Sequence, residues 1–217
     1  MTNLDSRSAG PEDLLEAAGI DEPLPSPITP EWCDRPSIEV APDLLGCKLI
    51  RQIPNGPLIS ATIVETEAYA PGDPACHAYR GKSQRNAAMF GPSGHSYVYL
   101  IYGMYHCLNV VTESPGIGSA VLIRALELAV IPPGLDPKQM QKPHRIAAGP
   151  GKLCRALEID RALNGVRYHP DSGLWLEPRA QPVAPKDMVQ TTRIGITKAA
   201  DRLWRWYLKG NSSVSRK

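Results

Sequence analysis

Two glutamates stand close together in a segment whose other residues are apolar or weakly polar. Glu65 and Glu67 lie within residues 58–69, a run rich in Ile, Val and Thr that predicts a β-strand. Because side chains alternate along a strand, we expect both acids to share a face with Ile59, Ala61 and Ile63. A carboxylate that a strand fixes and partly desolvates is suited to act as a general base. The alternative, which periodicity alone favours, is that both acids lie beyond the core, where the strand emerges into solvent.

Four of the eight tyrosines fall between positions 97 and 105. Tyr97 and Tyr99 alternate on one side of a predicted strand, and Tyr102 stands beside Gly103, where the chain is predicted to turn into a β-hairpin. A tyrosine at an exposed hairpin tip could act as a wedge between stacked bases, and the tyrosines behind it could stack on an extruded base. The alternative is the packing of strand tyrosines against a neighbouring strand, which is commoner.

Three other places carry groups that could bind anions or aromatic rings. Arg124 interrupts an apolar run and needs a carboxylate or phosphate partner, either in a structural salt bridge or in a functional site. The sequence Gly149-Pro150-Gly151-Lys152 opens a predicted helix and could contact a phosphate, although a plain loop-to-helix junction is the commoner explanation. His77 has no second ligand at metal-binding spacing, so we interpret it as a stacking or hydrogen-bonding residue.

Composition narrows the class of protein. The chain has 217 residues, 42% of them hydrophobic and 21% charged, which suits one folded domain and excludes wholesale disorder. No apolar stretch approaches the roughly 18 residues of a membrane helix, and no signal peptide is recognisable. The five cysteines form no C-x-x-C pair, which argues against a disulfide framework, a structural zinc site or a zinc-dependent deaminase. We expect an intracellular protein without a membrane segment or metal.

Charge is unevenly distributed along the chain. Residues 1–30 contain six acidic residues and one basic residue, a net charge of −5. Because the whole chain has a net charge of +2, residues 31–217 have a net charge of +7. Several prolines close this first segment, which predicts a flexible acidic tail over 1–30 and a folded domain over 31–217. Mild basicity of the folded part allows a polyanionic partner without requiring one.

The elements that must position these residues are mostly strands. The 18 glycines and 22 prolines predict many turns and little long helix. Short helices are predicted at 42–45 and from 149 to 157. Strands are predicted at 47–51, 58–69, 119–128, 173–177, 192–197 and 204–209, with a hairpin over 97–111. Together these elements predict an α+β domain with a mainly antiparallel sheet and a few short helices.

Seven motifs follow one another in a fixed order within residues 38–210. They are IVETEAY (63–69), DPACH (73–77), YVYLIYGMY (97–105), Asn109, VLIRALE (121–127), GPGKLC (149–154) and RIGI (193–196). In this order they closely resemble the alkyladenine (3-methyladenine) DNA glycosylase family, the vertebrate-type enzymes and their bacterial relatives.

The resemblance implies a single α+β domain with a curved antiparallel sheet and a protruding β-hairpin. It implies a monofunctional enzyme that flips an alkylated or deaminated purine out of double-stranded DNA and hydrolyses its N-glycosidic bond, leaving an abasic site for base excision repair. It implies no metal and no cofactor. Because no lysine nucleophile is implied, no lyase step is expected. The partner would be damaged DNA, and the protein would act on it as a monomer.

The resemblance also implies roles for individual residues in the reaction itself. Glu67 matches the acid that activates water, and Arg124 matches an arginine that helps to hold that water. The backbone at Ile194 is expected to complete the cage around it. Gly151 and Lys152 are candidates for contacts with the DNA backbone.

Further matches concern the handling of the base. Tyr69, His77 and Tyr99 match the aromatic walls around the flipped base. Tyr102 matches the tyrosine that intercalates into the DNA stack, and Asn109 matches a gate that crowds the 2-amino group of guanine.

Two alternatives remain at this stage. A non-catalytic binder of damaged nucleic acid could use the same scaffold, but it would need the aromatic residues without Glu67 and Arg124. A glycosylase of the helix-hairpin-helix type would place Gly149-Pro150-Gly151 in its hairpin, but it should be mostly helical with a catalytic aspartate downstream, where only Asp160 is available.

Overall fold

One antiparallel sheet of eight strands forms the centre of the protein. The computed structural model describes residues 26–134 and 137–216. The strands are β1 (Lys48–Gln52), β2 (Leu58–Tyr69), β3 (Ser96–Ile101), β4 (Tyr105–Thr112), β5 (Ser119–Leu128), β6 (Leu174–Glu177), β7 (Met188–Thr191) and β8 (Arg205–Leu208). The helices are α1 (Pro30–Cys33), α2 (Ser37–Asp43), α3 (Pro137–Met140) and α4 (Pro150–Ala156). Within the described ranges no helix is long and apolar enough to cross a membrane.

Strand β2 is the centre of the sheet. One edge of β2 pairs with β1 near its beginning and with β8 near its end, while the other edge pairs with β5. The sheet continues from β5 through β4 to β3, from β1 to β6 and from β8 to β7, and every pairing is antiparallel. The prediction of an α+β domain with a curved antiparallel sheet, short helices and a β-hairpin is confirmed.

The observed strands lie close to the predicted ones except around β7, and the helix predicted at 42–45 lies earlier in the chain, as α2 (Ser37–Asp43). Strand β2 has the predicted bounds, and β3 and β4 form the predicted hairpin. The predicted strand at 192–197 is wrong, because β7 ends at Thr191 and a loop follows. In that loop Arg193 turns inward to pair with Asp73, and Gly195 has a left-handed φ of +76°, which a strand does not accept.

The main hydrophobic core lies on the sheet face that α2 and α4 cover. Helix α2 packs on β2 and β5, and α4 packs on β4 and β5. Leu44 and Leu45 after α2, and Leu153 in α4, are fully buried in this core with Ile63 of β2. A smaller cluster, centred on Tyr97, lies on the opposite face.

The alternation of side chains between the two sheet faces inverts in both β2 and β5, at one irregularity that the two strands share. Ile63 pairs with Leu126 and Thr66 pairs with Ile123, but between them the pairing is displaced. On β5, Leu126 and Ile123 both belong to the main core, although strict alternation would put them on opposite faces. On β2, Ile63 lies in the main core and the Thr66 hydroxyl, three positions later, donates to Ala41 O on the same side at 2.8 Å. Each strand therefore inverts its alternation here, as a bulge does.

This inversion corrects the predicted orientation of the two glutamates. Glu65 and Glu67 lie on the face opposite to Ile59, Ala61 and Ile63, so the expectation of a shared face is wrong. The alternative, with both acids in solvent, is also wrong, because both are 0% exposed.

The described residues just before position 31 contact the folded domain. Ile28 is buried in the main core, and its N–H donates to Leu176 O at 2.8 Å. Thr29 caps α1, which begins at Pro30. The predicted acidic tail otherwise lies outside the described residues, up to residue 25.

A buried ion pair ties the loop after β7 to the end of β2. The Arg193 guanidinium donates to both carboxylate oxygens of Asp73, and both side chains are 0% exposed. Arg193 also donates to Ala68 O at 3.0 Å and lies 4.7 Å from the centroid of the Tyr69 ring. The pair thereby fixes the position of Ile194, the next residue.

We predict that Asp73→Ala lowers the free energy of unfolding by about 3–5 kcal/mol, because it leaves the Arg193 charge buried without its partner. Urea unfolding and thermal melting measure the loss. The matched control is Asp171→Ala, whose carboxylate is 91% exposed and should change stability by less than about 0.5 kcal/mol. Equal small effects of both substitutions would show that the buried pair is not a major support of the fold.

Candidate active site

A cavity of about 500 Å³ opens on the sheet face opposite the main core, between the β3–β4 hairpin, the start of α4 and the loop after β7. Nine of the ten residues predicted for the site line this cavity: Tyr69, His77, Tyr99, Tyr102, Asn109, Arg124, Gly151, Lys152 and Ile194. The tenth, Glu67, lies directly behind the wall.

Three cavity-lining groups hold the Glu67 carboxylate. The Ile194 N–H donates to Oε1 at 2.7 Å, and the Tyr69 hydroxyl donates to Oε2 at 2.9 Å. Arg124 Nη1 lies 3.2 Å from Oε2. Because Glu67 is fully buried, these donors replace the water it would otherwise bind and fix both oxygens. The result is a carboxylate of fixed orientation immediately beneath the cavity.

Arg124 connects Glu67 to the second glutamate. Its Nε lies 3.3 Å from Glu65 Oε1. Burial acts to lower the pKa of Arg124, but the charges of Glu67 and Glu65 outweigh it and raise the pKa above the ordinary value. Arg124 therefore stays charged. Glu65 also accepts from Arg205 Nη1 at 2.8 Å, so two carboxylates and two guanidiniums balance within one buried cluster.

Aromatic rings form one wall of the cavity. The His77 ring lies 4.6 Å from the Tyr99 ring between centroids, edge to face, and His77 Nδ1 is 2.8 Å from the Tyr97 hydroxyl. Burial raises the pKa of Tyr97 to about 12 and that of Tyr99 further, so both rings are neutral. Burial and the charge of Arg85 lower the pKa of His77, which favours its neutral form. A flat apolar group with polar edges fits such a wall.

Asn109 is held rigidly in β4, between two neighbouring strands of the sheet. It pairs with Tyr97 of β3 on one side and with Leu122 of β5 on the other. Its side chain is buried, and Nδ2 donates to Tyr97 O at 2.8 Å. Asn109 therefore presents a fixed polar group to the cavity.

Tyr102 forms the tip of the hairpin at the cavity mouth. Its side chain is 79% exposed, and neighbouring Met104 is 68% exposed. Tyr102 and Gly103 have φ values of +53° and +70°, so the turn holds a tyrosine in the left-handed region. Such a conformation is uncommon for a residue with a side chain, and here the tight hairpin turn requires it.

The start of α4 approaches the hairpin closely. A Cβ at Gly151 would lie 2.9 Å from Tyr105 Cβ, so glycine allows this contact. Lys152, next to it, is exposed at the cavity and could reach an anion there. The helix has seven residues and packs on an antiparallel sheet, which excludes the helix-hairpin-helix alternative.

Sequence reasoning missed several residues of the site. Cys107 and Leu122 also line the cavity without having been predicted, whereas Tyr97, which lines it too, had been placed on the same strand face as Tyr99. The Ile194 backbone was expected to contact the attacking water, but its N–H donates directly to Glu67. The contacts of Glu65 had no signal in the sequence, because its partners lie 59 and 140 positions away.

Comparisons with known proteins show the family to which the chain belongs. Residues 31–212 match the sequence model of a family described as methylpurine-DNA glycosylase (MPG). A protein of Trichodesmium erythraeum, named "Putative 3-methyladenine DNA glycosylase", is 60% identical over 192 residues, which cover 85% of this chain and 95% of the relative. A protein of the same name from Synechococcus sp. is 55% identical, over 85% of this chain and 97% of its own length. Another, from Streptomyces avermitilis, is 40% identical, over 90% of this chain and 94% of its own length. The chain belongs to the methylpurine-DNA glycosylase family.

Proposed function

We propose that this protein is a monofunctional DNA glycosylase that flips alkylated or deaminated purines out of duplex DNA and hydrolyses their N-glycosidic bonds. The observation that carries the proposal is the Glu67 carboxylate, which Ile194, Tyr69 and Arg124 fix directly behind an aromatic cavity. The product is an abasic site, and the protein acts as a monomer within base excision repair.

The cavity supplies binding for the extruded base. A purine can stack on Tyr99 and on the ring of Tyr69, and a methylated purine carries a positive charge that electron-rich rings attract. The volume of about 500 Å³ accommodates a purine together with part of its sugar. His77 in its neutral form adds no repelling charge.

The chemistry follows from the fixed carboxylate. Water attacks C1′ of the sugar while Glu67 accepts a proton from it, and the bond between C1′ and the purine breaks with its electrons going to the base. Arg124 stays charged and helps to orient Glu67. Lys152 is the only lysine among the described residues that line the cavity, and it lies at the cavity's exposed rim. Water rather than an amine is therefore the nucleophile.

A non-catalytic binder explains the site less well. Burying two carboxylates and two guanidiniums carries a large desolvation cost. A protein that only binds the base needs the aromatic wall and not these charges. The buried cluster around Arg124 therefore favours catalysis.

We predict that Glu67→Gln lowers the single-turnover rate of base release by at least about a hundredfold, the contribution typical of a general base. Binding to lesion-containing DNA should change little, because glutamine keeps the size and shape of Glu67 and leaves the aromatic walls of the cavity in place. Glu127→Gln, at an exposed position of β5, is the control and should keep the parent rate. A Glu67→Gln rate close to the parent would remove Glu67 from the mechanism.

Tyr102→Gly should lower the flipped fraction of a fluorescent ethenoadenine lesion and the rate of its release, since no planar group then fills the gap in the stack. Thermal stability should stay equal or rise slightly, because glycine accepts the left-handed φ of residue 102 without strain. Tyr79→Ala, which removes a tyrosine 53% exposed elsewhere, serves as the control. A clear fall in melting temperature with normal flipping would mark Tyr102 as a packing residue.

Shortening Asn109 to Ala or Ser should raise the release of unmodified guanine, because the fixed amide that crowds the 2-amino group is lost. Release of free guanine from undamaged duplex, followed by chromatography, measures the effect. Guanine release that stays flat in both variants, with normal release of an alkylated base, would contradict the role of Asn109 as a gate.

A further inference from the structure

Residues 213–216, which we call the strap, lie against the back of the buried charge cluster. Val214 is buried in a small apolar cluster with Val64 of β2 and Ala125 of β5. Arg145 donates to Val214 O at 2.9 Å and to Ser215 O at 3.1 Å. Main-chain carbonyls and one apolar side chain therefore hold the strap in place.

The strap contacts Glu65 through one main-chain group. The Ser215 N–H donates to Glu65 Oε2 at 2.7 Å. The other carboxylate oxygen, Oε1, accepts from Arg205 and Arg124. Arg205 also donates to Arg216 O at 2.9 Å, which closes the contact between the strap and the cluster. Glu65 is fully buried and does not line the cavity.

The Ser215 N–H matters because Arg124 is shared between two carboxylates. Arg124 gives Nε to Glu65 and Nη1 to Glu67, so the orientation of Glu65 sets the orientation of the guanidinium that Glu67 contacts. A buried carboxylate that loses one donor must reorient toward those that remain. Without the strap, Oε2 of Glu65 would compete for Arg124.

We propose that Glu65 is a positioning residue for the reaction and that the strap locks it by the Ser215 N–H. Glu65 aligns Arg124, and Arg124 aligns the general base Glu67. The proposal rests on the proposed glycosylase function. The strap begins just after residue 212, where the match to the family ends, so the family comparison assigns it nothing.

Two substitutions at one position isolate the main-chain bond. Ser215→Pro removes the N–H that Glu65 accepts. Ser215→Ala keeps this N–H and removes only a hydroxyl that is buried without a partner, so it is the matched control. We expect Ser215→Pro to lower the single-turnover rate of base release roughly ten- to hundredfold, as a small displacement of a catalytic group does. Affinity for DNA with an uncleavable lesion should be unchanged, and Ser215→Ala should keep both values.

A spectroscopic readout separates positioning from activity. In protein labelled with ¹⁵N-arginine, the Arg124 Nε–H should exchange slowly in the parent and in Ser215→Ala, and faster in Ser215→Pro. Arg145→Gln, which loosens the strap without touching Glu65, should give a smaller change in the same direction. This variant keeps the test decisive if Ser215→Pro fails to fold.

The outcomes distinguish the two proposals. If the parent and Ser215→Ala release no base from any lesion, the glycosylase proposal fails, and the exchange of Arg124 Nε–H alone decides whether the strap positions it. If the parent is active and both the Ser215→Pro and Arg145→Gln variants keep its rate and its Arg124 exchange, the strap has no positioning role. A rate loss matched by an equal loss of DNA affinity would also overturn the proposal.

Discussion

The site depends on a cluster of four buried charges. Glu65 and Glu67 are carboxylates without solvent contact, and Arg124 and Arg205 provide the matching positive charges. Burying such groups is unfavourable unless each finds partners of good geometry. Donors from β2, from the loop after β7 and from residues 213–216 meet this need, Ile194 among them. The loop after β7 and residues 213–216 lie where they supply these donors.

The paired irregularity in β2 and β5 makes the cluster possible. It inverts the alternation of both strands at one place. On β2, Ile59, Ala61 and Ile63 therefore face the helices, while Glu65 and Glu67 lie on the opposite side with Arg124 of β5. A single bulge would have displaced the pairing along the rest of the two strands, whereas Thr66 opposite Ile123 keeps the same register as Ile63 opposite Leu126. The opposite face is thereby free to carry both an acid and an arginine beneath one cavity.

Sequence reasoning reached much of the fold and part of the site. Alternation, turn residues and an arginine within an apolar run predicted the sheet, the hairpin and the importance of Arg124. Alternation failed at the bulge, because a local change of side leaves no mark in residue types, and it failed at 192–197, where a buried ion pair overrides strand propensity. The contacts of Glu65 with Ser215 and Arg205 join distant parts of the chain, and no local pattern predicts them.

The most direct test of the account is the crystal structure of Glu67→Gln bound to a duplex that contains ethenoadenine. We predict that the lesion lies in the cavity between Tyr99 and Tyr69, with C1′ of its sugar facing residue 67 and Tyr102 in the gap of the stack. A lesion that stays stacked within the duplex, or an extruded base whose C1′ faces away from residue 67, would contradict it.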